Sequence, residues 1–400
     1  MLTADELAAL EAAVRASEPD YMAQLERLVN IDCGSYTPVG VDEVGRFVAG
    51  FLEGLGAAVD VRPDPEGRLG ATVIGTIDGG DTAGPRILLI GHMDTVFDPG
   101  TAAERPFRIE DGRAYGPGVT DMKSGLLTGL HGLRAMLGAG GGGSVARLTF
   151  VANPDEEIGS PASTPHIRAL AAESEVCFVL ECARANGDIV SSRKGTIDIV
   201  ATVHGRAAHA GVEPEKGRSA ILEAARLVRD LHGLNGRWPG VTVNVGAIAG
   251  GTRPNVVAER CVLEIDVRAT DAAAQDEAEA TIAELARSTE VPDTTIAVER
   301  RARHRPMEKL ERSGRLVDHA LALASRLGFE LRDTATGGAS DANTTAGLGI
   351  PTIDGLGPIG GNDHSPAEYL DVGSIVPRTA LFAALLLTTA RDPIVRDWRG

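Results

Sequence analysis

The chain has 400 residues, a formal net charge of −17 and a sequence pI near 5.0. One hydrophobic core rarely serves so long a chain, so we expect two domains. Nucleic acids and anionic membranes bind to basic surfaces, and the acidic balance therefore argues against both as partners.

Four cysteines, Cys33, Cys177, Cys182 and Cys261, are scattered through the sequence without a Cys-x-x-Cys pair. This distribution is typical of reduced thiols in a cytoplasmic protein. The first residues read as a charged amphipathic helix, which does not resemble the apolar core of a signal peptide. No run of about 18 apolar residues predicts a membrane span. We therefore expect a cytoplasmic protein.

Helices and short apolar strands alternate through the first 194 residues, which predicts an α/β domain with a mostly parallel sheet flanked by helices. The predicted helices are Thr3 to Ala16, Pro19 to Ile31, Asp42 to Leu55, Lys123 to Leu137 and Thr164 to Ala172. The predicted strands are Ala57 to Arg62, Ala71 to Ile77, Ile87 to Ile90, Arg147 to Ala152 and Val176 to Leu180.

A different pattern begins at Gly195, where apolar and polar residues alternate from Thr196 to Val203 as in a half-exposed antiparallel strand. Up to Arg300 the predicted order is strand, helix, strand, strand, helix, strand. We therefore expect an inserted α+β sandwich over residues 195–304, with residues 1–194 and 305–400 forming the main domain. The main domain resumes with a helix from Leu310 to Leu327, a strand near Glu330 to Asp333 and a helix from Ser374 to Thr389.

Imidazole and carboxylate side chains follow the predicted strands of the main domain. His92 ends a buried strand and Asp94 lies two residues further on. Ligands gather at the carboxyl ends of strands in open α/β sheets, so we expect His92 to bind a metal ion. Asp94 would accept the hydrogen bond from its other ring nitrogen. A His-x-Asp pair alone is more often a structural feature, so the prediction depends on further groups at this edge.

Further acids and a second imidazole supply that support, each from a different strand end or loop. Two zinc ions about 3.5 to 4 Å apart need a bridging carboxylate, and each ion then takes an imidazole and a further carboxylate. The predicted ligands match this count: Asp121 as the bridge, His92 and Glu181 on one ion, Glu157 and His364 on the other. Cobalt or manganese could replace zinc in such a set. Glu156 adjoins a ligand without sharing its orientation, so we expect it to be the general base.

Six motifs occur in order along nearly the whole chain. They are Gly-His-Met-Asp-Thr-Val, Tyr-Gly-Pro-Gly-Val-Thr-Asp-Met-Lys, Asp-Glu-Glu-Ile-Gly-Ser, Ala-His-Ala-Gly, Gly-Gly-Thr-Arg-Pro-Asn-Val-Val and His-Ser-Pro-Ala-Glu-Tyr. Together they resemble the zinc aminoacylase/carboxypeptidase family of metallopeptidases, and most of all its glutamate carboxypeptidases of the folate-cleaving type. The resemblance implies a di-zinc hydrolase that releases a carboxy-terminal amino acid, foremost glutamate, from an N-acyl or peptidyl substrate. N-acyl-amino-acid deacylases and dipeptidases of the same family are the alternatives. The resemblance also implies a cis peptide bond between Asp121 and Met122.

The resemblance assigns further roles in the inserted domain, which it implies is a lid that also forms a homodimer interface. His209 would reach the active site of the partner subunit and stabilise the oxyanion there. Asn255 and Arg268 would bind the free carboxylate of the substrate. Arg305 would bind a side-chain carboxylate, since a guanidinium group pairs with a carboxylate through two parallel hydrogen bonds.

Rival classes of protein lack their own motifs in this sequence. Gly355-x-Gly357-x-x-Gly360 matches a dinucleotide-binding fingerprint, but Asn362 to Pro366 follow where a phosphate-binding helix would have to begin. Neither Gly-x-Ser-x-Gly nor His-Glu-x-x-His occurs, which argues against serine hydrolases and single-zinc proteases. A non-catalytic binding protein on this fold would be expected to lack Glu156 or a ligand, and all of these residues are present.

Overall fold

The computed structural model describes residues 2–398. Their helices are α1 (Ala4–Ala16), α2 (Glu18–Val29), α3 (Pro38–Gly54), α4 (Thr101–Glu104), α5 (Ser124–Gly138), α6 (Thr164–Ala172), α7 (Ala220–His232), α8 (Ala272–Leu285), α9 (Glu311–Arg326), α10 (Asp341–Ala346), α11 (Ile375–Arg391) and α12 (Pro393–Arg396).

The strands of the same residues are β1 (Ala58–Arg62), β2 (Thr72–Asp78), β3 (Arg86–His92), β4 (Arg108–Glu110), β5 (Arg113–Tyr115), β6 (Arg147–Asn153), β7 (Val176–Val179), β8 (Ile189–Arg193), β9 (Gly195–His204), β10 (Thr242–Gly250), β11 (Arg260–Ala269), β12 (Thr295–His304), β13 (Asp333–Thr336), β14 (Thr352–Ile353), β15 (Gly360–Gly361) and β16 (Tyr369–Asp371).

The chain divides into two compact units. The first unit contains the residues up to Ser192, the segment Lys309–Ala335 and the residues from Ser340 onward. The second unit contains Arg193–Glu308 and the short segment Thr336–Ala339. The insertion expected over residues 195–304 lies inside this second unit.

The first unit is built on a six-stranded sheet with the order β1-β2-β6-β3-β7-β14. The pairings from β6 through β14 are parallel, whereas β1 and β2 add to one edge in antiparallel fashion. Strand β3 is apolar on both faces because both are covered, and Ile87 to Ile90 are at most 1% exposed. The prediction of a mostly parallel sheet flanked by helices is confirmed.

Helix α11 passes through the core of the first unit, and nearly all of its side chains are buried. The stretch Val372–Arg391 is long and apolar enough to cross a membrane by length and composition alone, but 83% of its most apolar window is buried inside the structure. Burial of this kind is what the core helix of a folded domain shows. At the other end of the chain, α1 begins with a capping box, in which Thr3 and Glu6 bond reciprocally.

The second unit contains a four-stranded antiparallel sheet with the order β10-β11-β9-β12. Helices α7 and α8 pack against it through a separate apolar core that includes Ile199, Leu227, Leu263 and Ile282. The order of the elements along the chain is the one predicted, because alternation on the strands and helical periodicity between them were both clear in the sequence.

One predicted strand was displaced, and several short ones were missed. The strand expected near Glu330 to Asp333 begins only at Asp333, where β13 pairs with β8. Its polar residues are held by backbone pairing and by the contacts of Asp333 with Ser191 and Lys309, so apolar periodicity could not locate it. Strands β4, β5, β15 and β16 form a small sheet of two- and three-residue strands, which are too short to show a period.

Candidate active site

Parallel strands bring the predicted ligands to one edge of the central sheet. Strand β3 ends at His92, β6 ends at Asn153 shortly before Glu157, and β7 is closely followed by Glu181. These three strands are neighbours in the sheet, so their carboxyl ends lie along the same edge. Strand β14, the next in the sheet, leads into the loop that carries His364.

Asp121 lies between the two imidazoles. Its Oδ1 is 3.2 Å from Nε2 of His92, and its Oδ2 is 3.1 Å from Nε2 of His364. The same His364 nitrogen is 3.1 Å from Oε2 of Glu157, and Nε2 of His92 is 3.7 Å from Oε1 of Glu181. All five predicted ligands therefore converge, with one imidazole and one further carboxylate on each side of Asp121.

The approach of α5 to the strand ends depends on a glycine. A Cβ atom on Gly125, in the first turn of α5, would lie only 1.9 Å from the carbonyl oxygen of Leu180. Leu180 directly precedes Glu181, so the absence of a side chain at Gly125 lets the helix start beside this ligand. Asp121 occupies the distorted turn that leads into the helix, and its peptide bond to Met122 is cis, as predicted.

Glu156 adjoins the His92 side of the cluster. Ligand-capable atoms of His92, Glu156 and Glu181 all lie within 4.8 Å of one another. Burial and the neighbouring carboxylate of Glu181 raise the pKa of Glu156 well above its usual range. A carboxylate with a raised pKa is a stronger proton acceptor, so this residue has the position and the chemistry of a general base.

Asp94 makes different contacts from those expected. Nδ1 of His92 lies 3.0 Å from the backbone carbonyl of Asp94 and 3.4 Å from the carboxylate, so the closer acceptor is the carbonyl. The carboxylate instead accepts hydrogen bonds from the hydroxyl of Ser35 and from the backbone N–H groups of Glu156 and Glu157. Asp94 therefore orients His92 through its main chain and the Glu156–Glu157 turn through its side chain.

The cluster has the chemistry of a cation site. The Oε1 atom of Glu157 is buried and has no hydrogen-bond partner, a costly arrangement that a bound cation would relieve. The carboxylates of Asp121 and Glu157 raise the pKa of His364 to about 11, which shows how strongly they favour positive charge at this point. Two imidazoles combined with three carboxylates suit zinc, cobalt or manganese. The residues present therefore fit a divalent metal site.

A family model described as peptidase family M20/M25/M40 matches residues 88–388 of the chain. The chain belongs to this family. It is 32% identical to carboxypeptidase G2 of Pseudomonas sp. (strain RS-16), over 94% of this chain and 90% of that protein. It is 28% identical to acetylornithine deacetylase of Proteus mirabilis (strain HI4320), over 56% of this chain and 59% of that protein. Aminopeptidase PepT from Bacillus cereus ATCC 10987 shares the fold, with a TM-score of 0.78 at 24% identity over 93% of this chain and 99% of that one.

The predicted family membership is thereby confirmed, and the chain is a metallopeptidase or amidohydrolase of this metal-dependent family. The cluster around Asp121 contains groups of side chains that could hold the metal of such an enzyme. The rival interpretation as a non-catalytic binding protein is correspondingly set aside.

A further buried acid of the peptidase, Glu368, was not singled out from the sequence. Its side chain accepts hydrogen bonds from the backbone N–H groups of Gly118, Thr120 and Asp121, at 2.9, 2.9 and 3.1 Å. Burial raises the pKa of Glu368 to about 7, although these three donors favour the ionised form. The acid stands in the motif His-Ser-Pro-Ala-Glu-Tyr, four residues after His364, and its place in that motif was the available signal.

The remaining predicted residues of the peptidase belong to the second unit. His209 is exposed, and its Nδ1 accepts the N–H of Gly211 at 3.2 Å. Asn255 is joined to the same loop, because its carbonyl accepts the N–H of Ala210 at 3.0 Å. These two predicted residues are therefore neighbours along paired segments.

Both arginines predicted to bind substrate have carboxylate partners within the second unit. Arg268 bonds both carboxylate oxygens of Asp266, with a shortest distance of 2.7 Å. Nη1 of Arg305 lies 2.8 Å from Oδ1 of Asp276 and 3.3 Å from the carbonyl oxygen of Ala272.

Proposed function

We propose that this peptidase binds two divalent metal ions, with zinc as the first choice, and hydrolyses an amide bond to release a carboxy-terminal glutamate. The observation that carries the proposal is the position of Asp121, which has one carboxylate oxygen within 3.2 Å of each imidazole. Glu156 lies beside His92 and Glu181. His92 and Glu181 would hold one ion, Glu157 and His364 the other, and Asp121 both. Bound metal ions would polarise the amide carbonyl and make water more acidic at neutral pH.

The chain's own residues would then move the protons. The Glu156 carboxylate accepts a proton from the attacking water and later donates it to the leaving amino group, as a general base that becomes a general acid. Asp94 keeps this carboxylate in place through the backbone N–H of Glu156. Asp121, Glu157 and Glu181, which would bind the metal ions, would stay ionised throughout.

Two observations support glutamate as the released amino acid: the guanidinium groups of Arg268 and Arg305, and the similarity to carboxypeptidase G2. Asn255 and Arg268 would bind the α-carboxylate, and Arg305 the side-chain carboxylate. Each guanidinium group now pairs with an aspartate, so the substrate would exchange one carboxylate partner for another. The contacts between these arginines and the substrate carboxylates would decide whether the exchange occurs, because charges more than about 8 to 10 Å away are screened at physiological salt.

Deacylation of N-acyl amino acids, or dipeptide hydrolysis, is the second candidate. The pairing of Arg305 with Asp276 favours it, because a guanidinium group already neutralised by an aspartate offers less to a second substrate carboxylate. The similarity to acetylornithine deacetylase points the same way.

We also infer a homodimer formed through the second unit, with His209 of each chain completing the site of the other. Exposed apolar side chains of this unit support the inference: Val212 is 70% exposed, Leu222 63% and Ile248 54%. Ile248 lies on β10, an edge strand of its sheet, and an unpaired strand edge of this kind is a ready template for another chain.

A substrate panel tests the proposal. N-acetyl amino acids that differ only in the leaving residue are assayed with the wild type, Arg305→Ala and a matched control, Arg301→Ala, on zinc-loaded protein of measured metal content. Glutamate should exceed leucine in kcat/KM, and Arg305→Ala should remove that preference while Arg301→Ala keeps it. Equal turnover of leucine and glutamate, with Arg305→Ala silent, would favour the deacylase candidate. Fewer than two bound ions, with activity indifferent to a chelator, would refute the metal mechanism.

A further inference from the structure

We propose that Glu368 is a positioning residue, which holds the bridging carboxylate of Asp121 and the loop of His364 in one fixed relation. Loss of its acceptor oxygens should therefore weaken the His364 half of the metal site more than the His92 half. The inference rests on the two-metal site proposed above, and it concerns a residue that does not itself bind the ions.

Strand pairing places Glu368 beside the turn that carries Asp121. Strand β16 begins at Tyr369, and Tyr369 pairs with Tyr115 at the end of the antiparallel strand β5. The residue before Tyr369 must then lie close to the residues that follow Tyr115. Those residues form the turn from Gly116 to Asp121, and Glu368 is only 1% exposed against it.

Both oxygens of the Glu368 carboxylate are used as acceptors. Oε2 accepts from Gly118, and Oε1 accepts from both Thr120 and Asp121. The turn precedes the first residue of α5, so these N–H groups lie outside the hydrogen bonds of that helix, and a buried N–H group without an acceptor is costly. A distant carboxylate thus supplies the acceptors that the turn lacks, and one of the bonded groups belongs to the bridging residue itself.

The same carboxylate anchors the loop of His364. The backbone of His364 has φ +61° and that of Asn362 φ +59°, in the left-handed region that residues other than glycine seldom occupy, although asparagine and histidine do so more often than most. The loop bonds internally from Ser365 to Asn362 and from Glu368 to Ser365. The Glu368 side chain, four residues after His364, ties the loop to the Asp121 turn, and Nη1 of Arg105 donates a further hydrogen bond of 3.3 Å to the carbonyl of Ser365. Backbone in a sparsely populated region persists only while the surrounding structure holds it, so the loop depends on such anchors.

The two halves of the site are supported unequally. His92 ends a buried strand, and Glu181 lies two residues after the end of another, so both are held by the central sheet. The His364 side chain is 54% exposed and sits on the anchored loop. Removing the Glu368 carboxylate therefore weakens the hold on His364, whereas His92 and Glu181 keep their positions.

The experiment measures the two zinc-binding constants of metal-free protein by competition with a chelator. Glu368→Gln replaces one acceptor oxygen by an NH₂ group that faces an N–H donor. His364→Ala identifies which constant belongs to the His364 half. The matched control is Glu223→Gln, because Glu223 is also a fully buried glutamate that accepts two backbone N–H groups, from Glu290 and Val291, in the second unit.

In Glu368→Gln the constant assigned to the His364 half should weaken by about 10- to 100-fold, the usual effect of losing a partner of a ligand, and the other constant by less. Glu223→Gln should leave both constants unchanged. Far-UV circular dichroism of the metal-free variants checks folding. If Glu368→Gln does not fold, Glu368→Asp, which keeps the charge on a shorter arm, is measured by the same criteria.

The outcomes separate this inference from the function on which it rests. A wild type that binds fewer than two zinc ions refutes the two-metal proposal itself. A wild type with two ions, together with a folded Glu368 variant whose constants are unchanged or fall equally, overturns the positioning role. A selective loss at the His364 half, with Glu223→Gln silent, supports it.

Discussion

The carboxylate of Asp94 accepts a hydrogen bond of 3.1 Å from the backbone N–H of Glu156. A second bond of 3.2 Å comes from the N–H of Glu157, so one aspartate orients both the expected base and a ligand. The turn that carries these two acids is therefore fixed by a residue that lies just after the neighbouring strand β3, which ends at His92.

Asp94→Asn should lower activity and metal retention together. The amide keeps one acceptor oxygen but turns an NH₂ group towards N–H donors or the Ser35 hydroxyl, so the Glu156–Glu157 turn loses a bond. We expect losses of about 10- to 100-fold in kcat/KM and in zinc affinity. Asp64→Asn is the control, since Asp64 also accepts backbone N–H groups, from Arg68 and Leu69, in an exposed turn. A variant that matches the wild type in both measurements would remove Asp94 from this role.

Glu156→Gln should retain the metal ions and lose turnover. The amide has nearly the same shape as the carboxylate but cannot accept a proton from water. We expect kcat to fall by about 10² to 10⁴, the usual contribution of a general base. Metal content by atomic absorption and kcat on the same preparation are the measurements. Turnover within a few fold of the wild type at full metal content would exclude the role of Glu156.

Mixed dimers should recover activity if His209 acts on the partner's site. His209→Ala and Glu156→Gln are each expected to be inactive, but a dimer with one chain of each contains one site with both residues intact. Chains are mixed under conditions that exchange subunits, and exchange is confirmed by mass spectrometry with one isotopically labelled chain. Exchange without any return of activity would place the action of His209 within its own chain.

His131 should make the first unit less stable as the pH falls. Burial and the nearby Arg134 lower the pKa of His131 to about 3, whereas an unfolded histidine titrates near pH 6.5. Between these values the unfolded chain binds a proton that the folded chain does not. The stabilising contribution is thus fully present above about pH 6.5, and it is lost towards pH 3 by up to about 1.4 kcal/mol per pH unit.

Guanidinium unfolding of metal-free protein, followed by far-UV circular dichroism between about pH 6.5 and 5, measures this effect. His131→Gln should show a shallower fall in the free energy of unfolding than the wild type. His204→Gln, which changes an exposed histidine of the second unit, should follow the wild-type slope. Identical slopes for His131→Gln and the wild type would contradict the assignment.

The sequence by itself determined the central sheet and the chemical types at its edge. Ile87 to Ile90 are apolar without interruption because strand β3 is covered on both faces, and this run is visible without any structure. His92 ends its strand, and Glu157 and Glu181 follow theirs within four residues, so knowing the strands was enough to place them together. The motif around Asp121 likewise allowed its cis peptide bond to be predicted.

Only the tertiary structure decided which groups hold those ligands in place. Glu368 bonds residues about 250 positions earlier in the chain, and Asp94 bonds residues about 60 positions later. Local periodicity carries no trace of such contacts, because it reports how one element is buried and not what a polar side chain meets across the fold. The aspartate partners of Arg268 and Arg305 were hidden for a related reason, since a charged residue in a strand pattern does not reveal which acid it will face. The sequence could thus predict which side chains gather at the sheet edge, while the hydrogen bonds that orient them came from long-range packing.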